Sequence, residues 1–113
     1  MIGGNLNAII QIKDEGKKNS LGERIHTWTD FIVLKGWLDF SSGDSKSNTF
    51  NAKIQESTHV FICDYQEMNK KITAENSRFL IDNKVYSVML IDDPMNLHQH
   101  LEFYLKFVGG QNG

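Results

Sequence analysis

The chain has 113 residues, a formal net charge of −2 from 12 basic and 14 acidic side chains, 40% hydrophobic residues and a single cysteine. That length encloses one modest core and leaves no room for a second domain with a deep catalytic cleft. The charge lacks the basic excess of a tight nucleic-acid binder, a lone Cys63 excludes an intramolecular disulfide, and no apolar run approaches the length of a membrane-spanning helix.

Helical periodicity is almost absent, and short apolar runs are separated by Gly, Asn, Asp and Ser clusters, the pattern of a barrel or sandwich. The opening residues Met1-Ile2-Gly3-Gly4-Asn5 lack a basic region followed by an apolar stretch, so they read as no signal peptide, and synthesis in the cytoplasm is expected. From Asn7 to Lys13, Ala8, Ile10 and Ile12 alternate on one strand face. Asp14 to Gly22 is charged, holds Gly16 and Gly22, and reads as a mobile hairpin loop. Arg24 to Leu34 is rich in β-branched and aromatic residues and reads as a long strand. Gly36 predicts a bulge or sharp bend before Trp37-Leu38-Asp39-Phe40.

Ser41 to Ser57 is the one long polar segment, with Phe50 and Ile54 at helical spacing near its far end. Thr58 to Tyr65 reads as a strand with Val60 and Ile62 on one face. Gln66 to Ser77 is polar and has room for a single helical turn. Arg78 to Ile91 is the clearest hairpin, with Asp82-Asn83 suited to the positive φ of a primed turn. Pro94 suits the second position of a turn after Asp92-Asp93. Leu97 to Val108 reads as the last strand, with Leu101, Phe103, Leu105 and Phe107 on one face. The expected architecture is therefore all-β, a small antiparallel β-barrel of about six strands. It has one long loop and at most short helical segments. A single domain over 1–113 is expected, with flexible ends at about 1–5 and 109–113.

Residue chemistry offers no constellation for catalysis. His98 and His100 form a His-x-His, but two ligands without a Cys or acidic cluster beside them do not complete a metal site. Asp92-Asp93 flanks a proline turn, where acidic residues serve the backbone. Cys63 in Val60-Phe61-Ile62-Cys63 reads as an inert core thiol, and the glycine pairs fit no phosphate loop. The lysine pairs Lys17-Lys18 and Lys70-Lys71 are offset by nearby acids. Trp28, Phe31, Trp37, Phe40, Phe61 and Tyr86 lack interleaved basic residues, so packing or subunit contact explains them better than base stacking. No enzyme, metal or cofactor is expected.

The order of the fragments resembles the phage head-tail joining (head-closure) family. The matching pieces are Trp28-Thr29-Asp30, then Trp37-Leu38-Asp39-Phe40-Ser41-Ser42-Gly43, and Thr58-His59-Val60-Phe61-Ile62. Next come Ile72-Thr73, Arg78-Phe79 and Asp82-Asn83-Lys84-Val85-Tyr86-Ser87-Val88. Asp93-Pro94 and the apolar strand Leu101 to Phe107 close the pattern. The similarity spans roughly Asn7 to Val108. Asn83 stands where the family usually has Gly, and Ala74 where Pro often follows Ile-Thr.

The resemblance implies a non-enzymatic virion protein whose small β-barrels assemble as a ring, typically dodecameric. That ring lies below the portal and adaptor and above the tail terminator. It closes the DNA-filled head, docks the tail, and lets genomic DNA pass without sequence-specific binding. A near-neutral charge suits a conduit, since strong phosphate binding would hinder sliding. A monomer or weak oligomer is expected in isolation, with the ring templated on the portal side. Other neck or tail-completion proteins, or a small nucleic-acid-binding barrel, are the alternatives. The assembly or channel element is expected in the polar loop, at Ser42, Gly43, Asp44, Lys46, Asn48, Phe50, Lys53 and Ile54.

Overall fold

A computed structural model of the protein describes residues 6–14, 16–25, 27–40, 56–68 and 72–110. In chain order these form β1 (Leu6–Lys13), a two-stranded arm of β2 (Lys17–Lys18) and β3 (Arg24–Ile25), and β4 (Trp28–Phe40). Next come β5 (His59–Asp64), β6 (Ser77–Ile81), β7 (Lys84–Asp92), a 3-10 turn (Pro94–Asn96) and β8 (His100–Gly110). Six strands close an antiparallel barrel in the order β1-β4-β5-β8-β7-β6, with the arm outside it. Closure leaves no barrel strand with an unpaired edge.

Alternation sends one face of every strand inward. The core holds Ala8 and Ile10 from β1, Leu34 from β4, Phe61 and Cys63 from β5, and Phe79 and Ile81 from β6. Tyr86 and Val88 from β7 and Leu101, Phe103 and Leu105 from β8 complete it. Phe61, Phe79 and Phe103 meet across the interior, with ring centroids 4.9–6.5 Å apart, in tilted arrangements that aromatic pairs favour. The barrel interior is thus filled by side chains of its own strands. Val60 and Ile62 share a face as expected, but it is the outer one, because Phe61 and Cys63 take the inward positions.

Several details depart from the sequence expectation. The long strand from Arg24 is interrupted at Thr27, so that Arg24–Ile25 pairs within the arm. No bulge falls at Gly36, which pairs in register with both Leu6 and Cys63 within the continuous β4. A Cβ there would lie 2.3 Å from the Ile62 carbonyl oxygen and 2.8 Å from the Phe61 ring. Glycine is therefore needed for close approach of β5 rather than for a turn. The bulges lie elsewhere. Phe31 is the extra residue between the Ile10–Ile32 and Gln11–Asp30 pairs. Met89 and Val108 play that part in the β7–β8 pair.

The Asp82-Asn83 turn has φ of 56° and 62°, both positive as a primed turn requires. In place of a helical turn before β6, the described residues hold a side-chain-locked turn. Thr73 Oγ1 accepts from the Asn76 N–H, and Asn76 Oδ1 accepts from the Thr73 N–H. Local bonds of this kind compete with helix. The last strand begins at His100, not Leu97, and reaches Gly110. Gly109 and Gly110 pair with Val85 and Lys84 instead of belonging to a free tail.

Antiparallel pairing sorts the connections onto two ends. At the loop end stand the start of β1, the Asp82-Asn83 turn, the end of β8, and Phe40 and Glu56, which flank segment 41–55. At the arm end stand the β2–β3 arm, the connection from β5 to β6, and the Pro94 turn.

Candidate interaction surfaces

The loop residues singled out from sequence, Ser42, Gly43, Asp44, Lys46, Asn48, Phe50, Lys53 and Ile54, lie outside the described residues. The structure does define the rim from which their segment departs. Phe40 and His59 are direct cross-strand partners, as are Tyr86 and Phe107. All four continue the inward-facing rows of their strands. At the barrel mouth they form a chain of rings, Phe40–His59 at 5.1 Å, His59–Tyr86 at 5.2 Å and Tyr86–Phe107 at 5.6 Å. The chain is only half covered, with Phe40 78% and Phe107 44% exposed.

Thr58 ties this rim together. Its Oγ1 accepts the Phe107 N–H at 2.8 Å and lies 2.8 Å from His59 Nδ1, while its own N–H donates to the Leu105 carbonyl. The Thr58-His59 pair thus fixes the aromatic rim to β8. Burial first, and the Lys84 ammonium second, lower the His59 pKa, which favours a neutral ring among its aromatic neighbours.

The arm end displays a different apolar feature. Met95 and Leu97 are 86% and 55% exposed on the turn that joins β7 to β8. Met95, Asn96 and His98 all carry φ of 55–56° there, a costly conformation for residues with a Cβ. Asp93 latches the turn: its Oδ1 accepts the His98 N–H at 3.0 Å and its Oδ2 pairs with His98 Nδ1. The His98 ring stacks on Tyr65, with centroids 4.6 Å apart.

Two polar clusters occupy the outer wall near the arm end. On β1, β4 and β6, Arg78 Nε donates to Gln11 Oε1 and Gln11 Nε2 to Asp30 Oδ1, each at 2.7 Å. The Arg78 guanidinium lies 4.5 Å from the Trp28 ring centroid and Lys13 Nζ lies 5.8 Å from it. A mostly polar groove of about 350 Å³ runs alongside, lined by Ile9 and Leu80 together with Asn7, Gln11, Asp30, Asp82 and Asn83. On β7 and β8, Asp92 and Glu102 are direct cross-strand partners. Glu102 accepts from the Tyr104 hydroxyl at 2.8 Å and pairs with His100 Nε2 at 3.1 Å.

The His-x-His therefore splits. His98 belongs to the turn and pairs with Asp93, while His100 pairs with Glu102. Among the described residues no three His, Cys, Asp or Glu side chains converge to hold a metal ion. Cys63 is buried in the core, and its thiol is pushed up to about 11 by burial and then by Asp64, so it carries almost no thiolate near neutrality.

Sequence reasoning missed the rim, the latched turn and both wall clusters, because each joins residues from strands far apart in the chain. The signals present were weak. Thr58-His59 begins a strand, and Trp28, Asp30 and Arg78 fall among the family-like fragments. Comparison with protein families gives a match: the family model for the phage head completion protein covers residues 1–106. A search of curated proteins finds no match.

Proposed function

The chain belongs to the phage head completion protein family, whose match covers residues 1–106 of 113, and from that premise we propose that its copies form a ring at the head–tail interface. Membership gives it a structural role in completing the phage head and bears out the family read from the residues. The ring below the portal and adaptor, its dodecameric count, the docking of the tail terminator and the passage of genomic DNA are our reading.

One observation carries that reading furthest. Buried side chains fill the barrel, yet it exposes apolar groups at both ends: the Phe40–Phe107 rim at one and Met95 and Leu97 at the other. Exposed apolar groups of this kind favour contact with another protein. A subunit with adhesive groups at its two ends suits an intermediary between head-side and tail-side components. Because each barrel is filled, DNA has to pass between subunits, through the opening of a ring. Segment 41–55 leaves the barrel beside the aromatic rim. We assign to it, through Phe50 and Ile54, the contacts that obstruct the channel or seat the ring.

Removal of the gene from a phage that encodes this protein tests the reading. Heads should fill with DNA, then lose it or remain tailless, and a plasmid copy should restore them. A plasmid copy lacking 43–48 should make folded protein but fail to restore tailed, DNA-retaining particles. Normal infectious yield without the gene would refute the proposed role. Normal yield with the shortened loop would refute only the loop's part in it.

A further inference from the structure

We propose that the side-to-side contact between copies joins two unlike faces, the Lys13–Arg78–Trp28 wall of one barrel and the Asp92–Asp93–Glu102 wall of the next. This deepens the ring reading and rests on it. A closed ring needs two different complementary patches on each subunit, placed so that repetition closes rather than spirals. In a ring of many copies those patches must lie on nearly opposite sides of the subunit.

The strand order meets that requirement. In the cycle β1-β4-β5-β8-β7-β6, β8 stands three places from β1 in either direction. It is therefore the strand opposite. Both clusters also lie toward the same end of the barrel. Lys13 closes β1 and Trp28 opens β4, while Asp92 closes β7 and Glu102 lies two residues into β8. Copies set side by side with parallel axes would bring one cluster level with the other.

Their chemistry is complementary. Lys13 and Arg78 make no salt bridge with any carboxylate among the described residues. The salt bridges found there are His98–Asp93 and His100–Glu102. Two carboxylates border the basic wall: Asp30 accepts from Gln11 rather than from Arg78, and Asp82 lines the adjoining groove toward the loop end.

On the acidic wall, burial and then Glu102 and Asp93 raise the Asp92 pKa, with His100 acting in the opposite direction. Like charges are thus held together at a cost that an incoming cation would relieve. Each wall also has apolar groups beside its charges, Trp28, Ile9 and Leu80 on one side and the partly buried Tyr104 and Leu90 on the other. The chain's near-zero net charge conceals this segregation, which is what self-assembly by unlike faces requires.

Zero-length carbodiimide cross-linking of purified particles, followed by peptide mass spectrometry, tests the contact. Lys13 projects outward from β1, and Asp92 and Glu102 project outward from β7 and β8, with the filled core between them. A direct amide between Lys13 and Asp92, Asp93 or Glu102 must therefore join two copies. We expect that link. We also expect Lys13→Glu or Glu102→Lys alone to lower particle yield at least tenfold. The paired Lys13→Glu/Glu102→Lys chain should recover most of it.

Lys13 is exposed, so its variant should fold. Glu102→Gln, which keeps an acceptor for Tyr104, stands in if Glu102→Lys loses its β-sheet circular dichroism. Inter-copy links that join other surfaces, or single variants without effect, overturn this pairing and leave the ring intact. Particles that hold the protein with no inter-copy link at all overturn both.

Discussion

Thr58 does more for the loop end than its exposed position suggests. Its hydroxyl is the acceptor for the Phe107 N–H and the neighbour of His59 Nδ1. Replacing it with valine keeps the shape of the side chain and removes both contacts. Thr58→Val should cost about 1–2 kcal/mol in urea unfolding and should increase amide exchange at Phe107 before the core is affected.

His59 adds a pH dependence with a definite sign. Its pKa is lowered from 6.5 by burial and then by Lys84, so the unfolded chain takes up the proton first. The stability that His59 contributes is complete above the ordinary imidazole value and is lost as pH falls below it. Urea midpoints measured from pH 7.5 to 5.5 should fall, and the fall should be smaller in His59→Phe. An unchanged slope in that variant would remove His59 as the cause.

At the scale of elements, the Pro94 turn is held by few side chains. Asp93 supplies both an acceptor for the His98 N–H and a partner for the His98 ring, while Met95, Asn96 and His98 hold left-handed φ values. Asp93→Ala should free the turn at a cost of about 1 kcal/mol, with faster exchange confined to the residues from Met95 to Gln99. Equal loosening across β7 and β8 would show that the latch supports the barrel rather than the turn.

The strands and the Asp82-Asn83 turn were legible in the sequence because alternation and turn chemistry are local. The bulges were not. Whether Phe31 is paired or extra depends on β1, and the need for glycine at 36 comes from the Ile62 carbonyl of a partner strand, which local sequence does not display. Val60-Phe61-Ile62-Cys63 is apolar on both faces, so periodicity alone did not say which face was inward. The split of His98 from His100 hinged on a turn whose positive φ values fall on Met95, Asn96 and His98, none of them glycine. Of the candidate functional surfaces, only the aromatic residues were visible in advance, and only as a list without an arrangement.

For the whole molecule, the proposed ring sets filled barrels around the DNA path rather than along it. No helix among the described residues is long and apolar enough to span a bilayer. Electron cryomicroscopy of the neck of particles that carry this protein measures that ring arrangement. We expect a ring of identical closed β-barrels between head and tail, dodecameric, with DNA or an open channel on the ring axis and neighbours meeting across β1 and β8. A neck without the barrel, or a single copy with density running through the barrel interior, would contradict it.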